Sequence, residues 1–290
     1  MSRPIIARNI DINKVSFVAG PAKAGRNPSI YMKYDGQNLQ ILVPRMGFPG
    51  GVIIRDQEMG GTTYTLIGSM KGCDSYAKER SANVDDMSKF YNLLLDLEAK
   101  VLEAANENSV KWFGKKRSLE AIKDGWKSII GVSADKVDGE YVPNGKYPPS
   151  FKVKVPVYEG RVATEIVDAQ RNPVYATPAT LGAIFPKGVE TNMVVSGSIY
   201  VIAGGGFGVT WRLQTAQVFA RSRITAADIF AVEEDLPADG EEELSDLTGG
   251  GADGPAPSAA GGGLERPPTP DQPTEAVPPV APQRKRRSAA

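Results

Sequence analysis

The chain opens on short stretches in which apolar and polar residues alternate: VSFVAG (15–20), SIYMKY (29–34), LQILVPRM (39–46), GVIIRD (51–56) and TYTLIGSM (63–70). Between them lie PAKAGRNP, DGQN, GFPG and QEMGG, rich in the Gly, Pro and Asn that tight turns require. Period-two alternation bounded by turn residues predicts antiparallel β structure. The period then changes. Met87, Phe90, Tyr91, Leu94, Leu97, Val101, Leu102 and Ala105 recur at three- and four-residue spacing, which predicts a helix, and Asp85 or Asp86 can cap its start. A second, short helix is expected over 118–126, capped by Ser118. Alternation resumes in FKVKVPVY (151–158) and RVATEIVDA (161–169), joined by a tight Glu159-Gly160 turn. NMVVSGSIYVIA (192–203) and FGVTWRLQTAQVF (207–219) flank Gly204-Gly205-Gly206, a hairpin turn. Many short strands, one main helix and Gly-rich turns point to a mainly β, α+β fold, a small barrel or sandwich.

Two of these strands carry cations on their polar side. In FKVKVP, Phe151, Val153 and Val155 share one face while Lys152 and Lys154 take the other. In GVTWRLQ, Val209, Trp211 and Leu213 oppose Thr210, Arg212 and Gln214. If the strands lie in one sheet, Lys152, Lys154 and Arg212 line a groove suited to phosphates. Tyr200, between Ile199 and Val201, either faces the same way or supports the core. Phe207, at the hairpin tip, is expected to be an exposed stacking residue, and Trp211 to be core. WFGKKR (112–117) sets Trp112 and Phe113 beside Lys115, Lys116 and Arg117, aromatic faces for unpaired bases beside cations for phosphates. Its aromatics also suit core anchors, and its charges a solvated turn.

Catalytic chemistry finds little purchase. The chain has no histidine and one cysteine, Cys73, which excludes His-based acid–base catalysis, His- or Cys-cluster metal sites and an internal disulfide. AGGGFG (203–208) precedes an alternating strand rather than the helix a phosphate-binding loop needs. Asp85-Asp86 suits a helix cap. A carboxylate-based, metal-dependent nuclease has no positive signal, so no enzymatic activity and no cofactor are expected. No signal-peptide-like or membrane-spanning run occurs, which with the lone cysteine fits an intracellular protein without a membrane partner.

Charge divides the chain. It is neutral overall, with 34 acids and 34 bases, yet residues 231–290 hold 12 acids and 5 bases, leaving the body an excess of about seven positive charges. Those last 60 residues include 10 prolines and 8 glycines, and no aromatic residue follows Phe230. They are expected to be a disordered tail over 233–290, following a folded domain over 1–232. Within EEDLPADGEEELSD (233–246), Glu233, Glu234, Asp235, Glu241, Glu242, Glu243 and Asp246 make a tethered polyanion, suited either to shielding the basic groove and meeting a partner or merely to solubilising the chain. Arg284, Lys285, Arg286 and Arg287 fit a nuclear-import signal or added non-specific DNA affinity.

The succession of a Leu- and Phe-rich helix, WFGKKR, YPPSFKVKVP, a Gly-rich hairpin, GGFGVTWRLQTAQV and an acidic tail resembles the T-seven-phage-type single-stranded-DNA-binding proteins, as found in nucleocytoplasmic large DNA viruses, especially those of algae. The likeness is strongest over roughly residues 85–235, with the N-terminal strands fitting a barrel that begins earlier, and PPSFKVKVP and FGVTWRLQ carry most of it. It implies an OB-fold barrel with one inserted helix and binding of single-stranded DNA without catalysis. It also implies roles in replication, recombination and repair, a homodimer, and an acidic tail that contacts viral DNA polymerase or other replication proteins. Lys152, Lys154 and Arg212 fall on the family-like strands. The tail departs from the family pattern: a Pro-rich spacer and RKRR follow the acids, and no terminal aromatic is present. The expected setting is a host nucleus or viral replication factory, with packaging in the virion a further option. The rival to the binding protein is a structural or DNA-packaging virion protein that uses its tail for partners.

Overall fold

The computed structural model describes residues 3–21, 28–58, 61–202 and 204–219. The expected tail, its acidic run at 233–246, the basic cluster at 284–287 and residues 22–27 of the PAKAGRNP turn lie outside these residues.

Strands β1 (Ile5–Ile6), β2 (Val15–Ala19), β3 (Ile30–Tyr34), β4 (Gln37–Asn38), β5 (Gln40–Phe48), β6 (Val52–Asp56) and β7 (Thr62–Ser69) follow the N-terminal alternation closely. Helix α1 (Asp86–Glu107) comes next, and Asp85 caps it by accepting from the Ser88 amide at 3.0 Å. Its buried stripe includes Phe90, Tyr91, Leu94, Leu97, Val101 and Ala105, as the spacing predicts. Short helices α2 (Ser109–Phe113) and α3 (Leu119–Gly125) lead into β8 (Trp126–Lys127) and β9 (Ile130–Gly131); Ser118 caps α3 through the Ala121 amide. A separate hairpin, β10 (Ala134–Val137) with β11 (Glu140–Pro143), precedes β12 (Ser150–Val155).

Two expected strands are broken. FKVKVPVY stops at Val155 because Pro156 offers no N–H to a ladder. Beyond it β13 (Val157–Tyr158) and β14 (Arg161–Val162) form a small hairpin whose turn residues, Glu159 and Gly160, have φ of 50° and 75°. RVATEIVDA likewise divides, its second part being β15 (Glu165–Val167). After α4 (Leu181–Ile184) come the two longest strands, β16 (Val189–Val201) and β17 (Phe207–Phe219), joined by the Gly204–Gly206 turn as expected. There the Gly205 amide donates to Ile202 O, and the Ile202 amide to Gly206 O.

Among the described residues most strands join one large sheet. β5 pairs with β7, β7 with β12, β12 with β17, β17 with β16, and β16 pairs back with β5. Not all contacts are antiparallel. β12–β17, β15–β17, β8–β17 and β1–β5 run parallel, a pairing that alternation alone does not reveal. β2 and β3 extend the sheet beyond β16. The inner faces make the core. Phe151 of β12 meets Trp211 of β17 at 5.6 Å and Phe90 of α1 edge-on at 5.1 Å, so the helix between β7 and β12 packs its apolar stripe on the sheet interior.

A candidate nucleic-acid interface

β12 buries Phe151, Val153 and Val155 and exposes Lys152 and Lys154. Lys154 sits directly beside Arg212 across the parallel β12–β17 contact, so the two cations share the outer face. On β17 the inner side chains Trp211 and Leu213 are buried, while Thr210, Arg212 and Gln214 remain partly exposed outside. The outer face continues onto β16. Arg212 Nη1 donates to Ser198 Oγ at 2.7 Å, and Gln214 Nε2 donates to Ser196 Oγ at 2.9 Å. Tyr200, two residues beyond Ser198, therefore projects on the same side and is 38% exposed. The structure thus resolves the two orientations left open for it.

Lys152, Lys154, Tyr200 and Thr210 line one open cavity of about 410 Å³. Its rim is the segment joining β8 to β9, which adds Lys127, Ser128 and Ile129. Glu98 of α1 holds that rim: its carboxylate accepts from Ser128 Oγ at 2.5 Å, from the Ile129 amide, and from the Ile130 amide at 3.4 Å. Lys127 is a functional candidate that alternation did not reveal, because it enters through a two-residue strand laid parallel against Phe207–Gly208.

On this face the cations crowd one another. Arg8, Lys14, Arg45 and Arg80 are ion-paired with Asp86, Asp35, Glu190 and Asp96. Among the described residues, Lys127, Lys152, Lys154 and Arg212 have no carboxylate partner. Burial pushes the Lys154 ammonium below its ordinary value of 10.5, and repulsion from Lys152 and Arg212 pushes it the same way. Burial raises the Tyr200 phenol. Two larger grooves, of about 480 and 600 Å³, lie along β5, and both include Arg45, whose charge Glu190 already answers. The clustering of these cations beside Tyr200 is what marks the β12–β17 face as a site for a polyanion.

The other expected site residues fall differently. Phe207 is not an exposed stacking residue. It is 0% exposed, packed edge-on against Phe113 at 5.2 Å and tilted against Trp126 at 5.1 Å. The inward register of Trp211 and Leu213 carries Phe207 into the core with them. Trp112 and Phe113 are core anchors, and Trp112 also meets Phe17. Arg117 is turned to structure: its guanidinium lies over the Phe113 ring at 4.9 Å and donates to Gly205 O at 3.3 Å. A Cβ on Gly205 would collide with that guanidinium, so the glycine, at φ 89°, admits both the turn and the arginine. Lys115 and Lys116 are exposed after α2 and do not line the cavity.

Among the described residues no group of three or more acidic or cysteine side chains is placed to hold a metal ion, and no helix is long and apolar enough to cross a membrane. The chain matches no family model and no curated protein. Among solved structures it is similar to gp2.5, a single-stranded DNA binding protein encoded by bacteriophage T7. That likeness has a TM-score of 0.37 at 12% identity and covers 70% of this chain and 98% of the phage chain.

Proposed function

We propose that this chain is a non-enzymatic single-stranded-DNA-binding protein built on an OB-fold-like barrel. One observation carries the reading: Lys127, Lys152, Lys154 and Arg212 converge without carboxylate partners on one sheet face that also presents Tyr200. Phosphates answer such cations and bases stack on such a ring, with no need for sequence readout. The strand circuit supports the barrel. β16 lies beside β5, followed by β7 and β12, the spatial order of a Greek key, and β17 closes between β12 and β16. A single paired position joins β5 to β7, in keeping with a barrel that is partly open. In OB folds the second and third strands and the loops after the first and fourth strands carry the nucleic acid. Here these correspond to β7, β12, the residues around β6 and the Gly204–Gly206 turn.

The proposed setting is viral DNA replication, recombination and repair, in a nucleus or replication factory, with the protein acting as a homodimer. The domain is assigned to residues 1–232. The acidic run at 233–246 is assigned to shielding the cationic face and to docking polymerase or another replication protein, and Arg284, Lys285, Arg286 and Arg287 to nuclear import. Replacing Lys152, Lys154 and Arg212 together by Ala tests the face. Fluorescence anisotropy on labelled oligo-dT should show binding about tenfold weaker or more, with the slope of log affinity against log salt shallower by about two. Unchanged affinity and slope would remove these residues from the interface and leave the virion structural protein as the better reading.

A further inference from the structure

The β2–β3 hairpin lies outside the five-strand circuit, and nothing in the cationic face requires it. Its register nevertheless joins that face. Tyr31 of β3 pairs directly with Ser198 of β16, the residue that accepts from Arg212. Directly paired residues project to the same side, so Tyr31 stands on the outer face, and it is 46% exposed. Lys152, Thr210, Ser198 and Tyr31 then follow one row across β12, β17, β16 and β3. At the usual strand spacing that row spans about 15 Å.

The setting of the tyrosine ring is specific. A Cβ built on Gly20 would lie 2.7 Å from Tyr31 Cε2, so the ring rests against the Gly20 backbone where only a glycine leaves room. Tyr200 is set in a similar way: a Cβ on Gly208 would lie 2.8 Å from its hydroxyl. Two exposed tyrosines thus lie low on the same sheet face, each over a glycine, one on either side of Ser198. A ring laid against the sheet offers its outer side to solvent, which is the presentation a base needs for stacking.

We infer that the β2–β3 hairpin is part of the single-strand interface, with Tyr31 as its base-stacking platform and Tyr200 as the platform nearer the cations. This assignment rests on the single-stranded-DNA reading of the cationic face. It adds an aromatic end to the row of phosphate-binding groups, so the strand would be gripped at Lys152, Lys154 and Arg212 and stacked at Tyr200 and Tyr31.

Stacking and phosphate contact leave different signatures, because removing a ring costs affinity without releasing fewer counterions. The full chain and its Tyr31→Leu and Tyr31→Trp variants should be titrated with labelled oligo-dT over a salt series. Tyr31→Leu is expected to weaken binding about tenfold with an unchanged salt slope, while Tyr31→Trp binds as tightly as the native chain or more so. The unaltered protein, irradiated with an iododeoxyuridine-substituted oligonucleotide, should cross-link at Tyr31; this readout holds even if Tyr31→Leu uncovers Gly20 and unfolds the hairpin. Native affinity in Tyr31→Leu, or no cross-link at Tyr31, overturns the inference while leaving the cationic face intact, provided the Lys152/Lys154/Arg212 substitution still weakens binding. A shallower salt slope in Tyr31→Leu overturns the stacking role, since the loss would then act through charge. If the native chain binds no single strand, the inference and the reading beneath it both fail.

Discussion

Lys154 concentrates the conflict between stability and binding. It lies directly opposite Arg212 and two residues from Lys152, and like charges facing each other across a sheet are unfavourable. Lys154→Met should therefore stabilise the unbound protein, by roughly 0.2–1 kcal/mol on the scale of such cross-strand pairs, while weakening DNA binding. Thermal melts and anisotropy read the two effects separately, and a loss of both stability and affinity would contradict this view of the residue. The same residue sets a pH dependence. Its pKa is lower in the fold than the ordinary 10.5, so the penalty of holding it charged is present below the folded pKa and is relieved as pH rises through it. Phosphate favours the charged form. Binding in that alkaline window should therefore take up protons, and affinity should fall as pH climbs. Isothermal titration in buffers of different ionisation enthalpy measures the uptake; pH-independent affinity up to 10.5 would exclude Lys154 from the contact.

At the scale of elements, the rim of the cavity depends on a helix that carries none of the cations. Glu98 of α1 satisfies the Ile129 amide, a buried position, together with Ser128. Glu98→Ala leaves that amide without its partner, at a cost of about 1–3 kcal/mol. It should also speed hydrogen exchange at residues 129 and 130 and reduce affinity by loosening Lys127. Exchange at the native rate would show that the rim is held by other means. The elements also mark how much the sequence disclosed. The period of α1, its Asp85 cap, the long hairpin and the outward lysines of β12 were legible because each depends on local spacing. The parallel pairing of β12 with β17, which brings Lys154 against Arg212, was not, since register between distant strands leaves no local trace. Phe207 lies beside a turn, which suggests exposure, but its two-residue register with Val209 and Trp211 turns it inward. The alternation in SIYMKY turns Tyr31 away from Ile30 and Met32, but only the pairing with Ser198 connects that strand to the cationic face. Arg117, whose place in WFGKKR suits either a phosphate contact or a solvated turn, instead clamps the glycine turn, a contact 88 residues away that leaves no local trace.

The whole molecule divides its charge between a basic body and an acidic segment beyond it, and one face of that body gathers Lys127, Lys152, Lys154 and Arg212 beside Tyr200. If the face grips the DNA backbone and stacks bases exposed by strand separation, it must prefer a single strand to a duplex, whose bases are already stacked on each other. Its affinity must also follow counterion release. The most direct measurement is therefore a titration of the full-length protein with labelled oligo-dT and with a matched duplex across a salt series. Binding should be tighter to the single strand, with a log–log salt slope of about −2 or steeper, as three or more neutralised phosphates require. Equal affinity for the two, or binding to the single strand that does not respond to salt, would contradict the single-stranded-DNA reading.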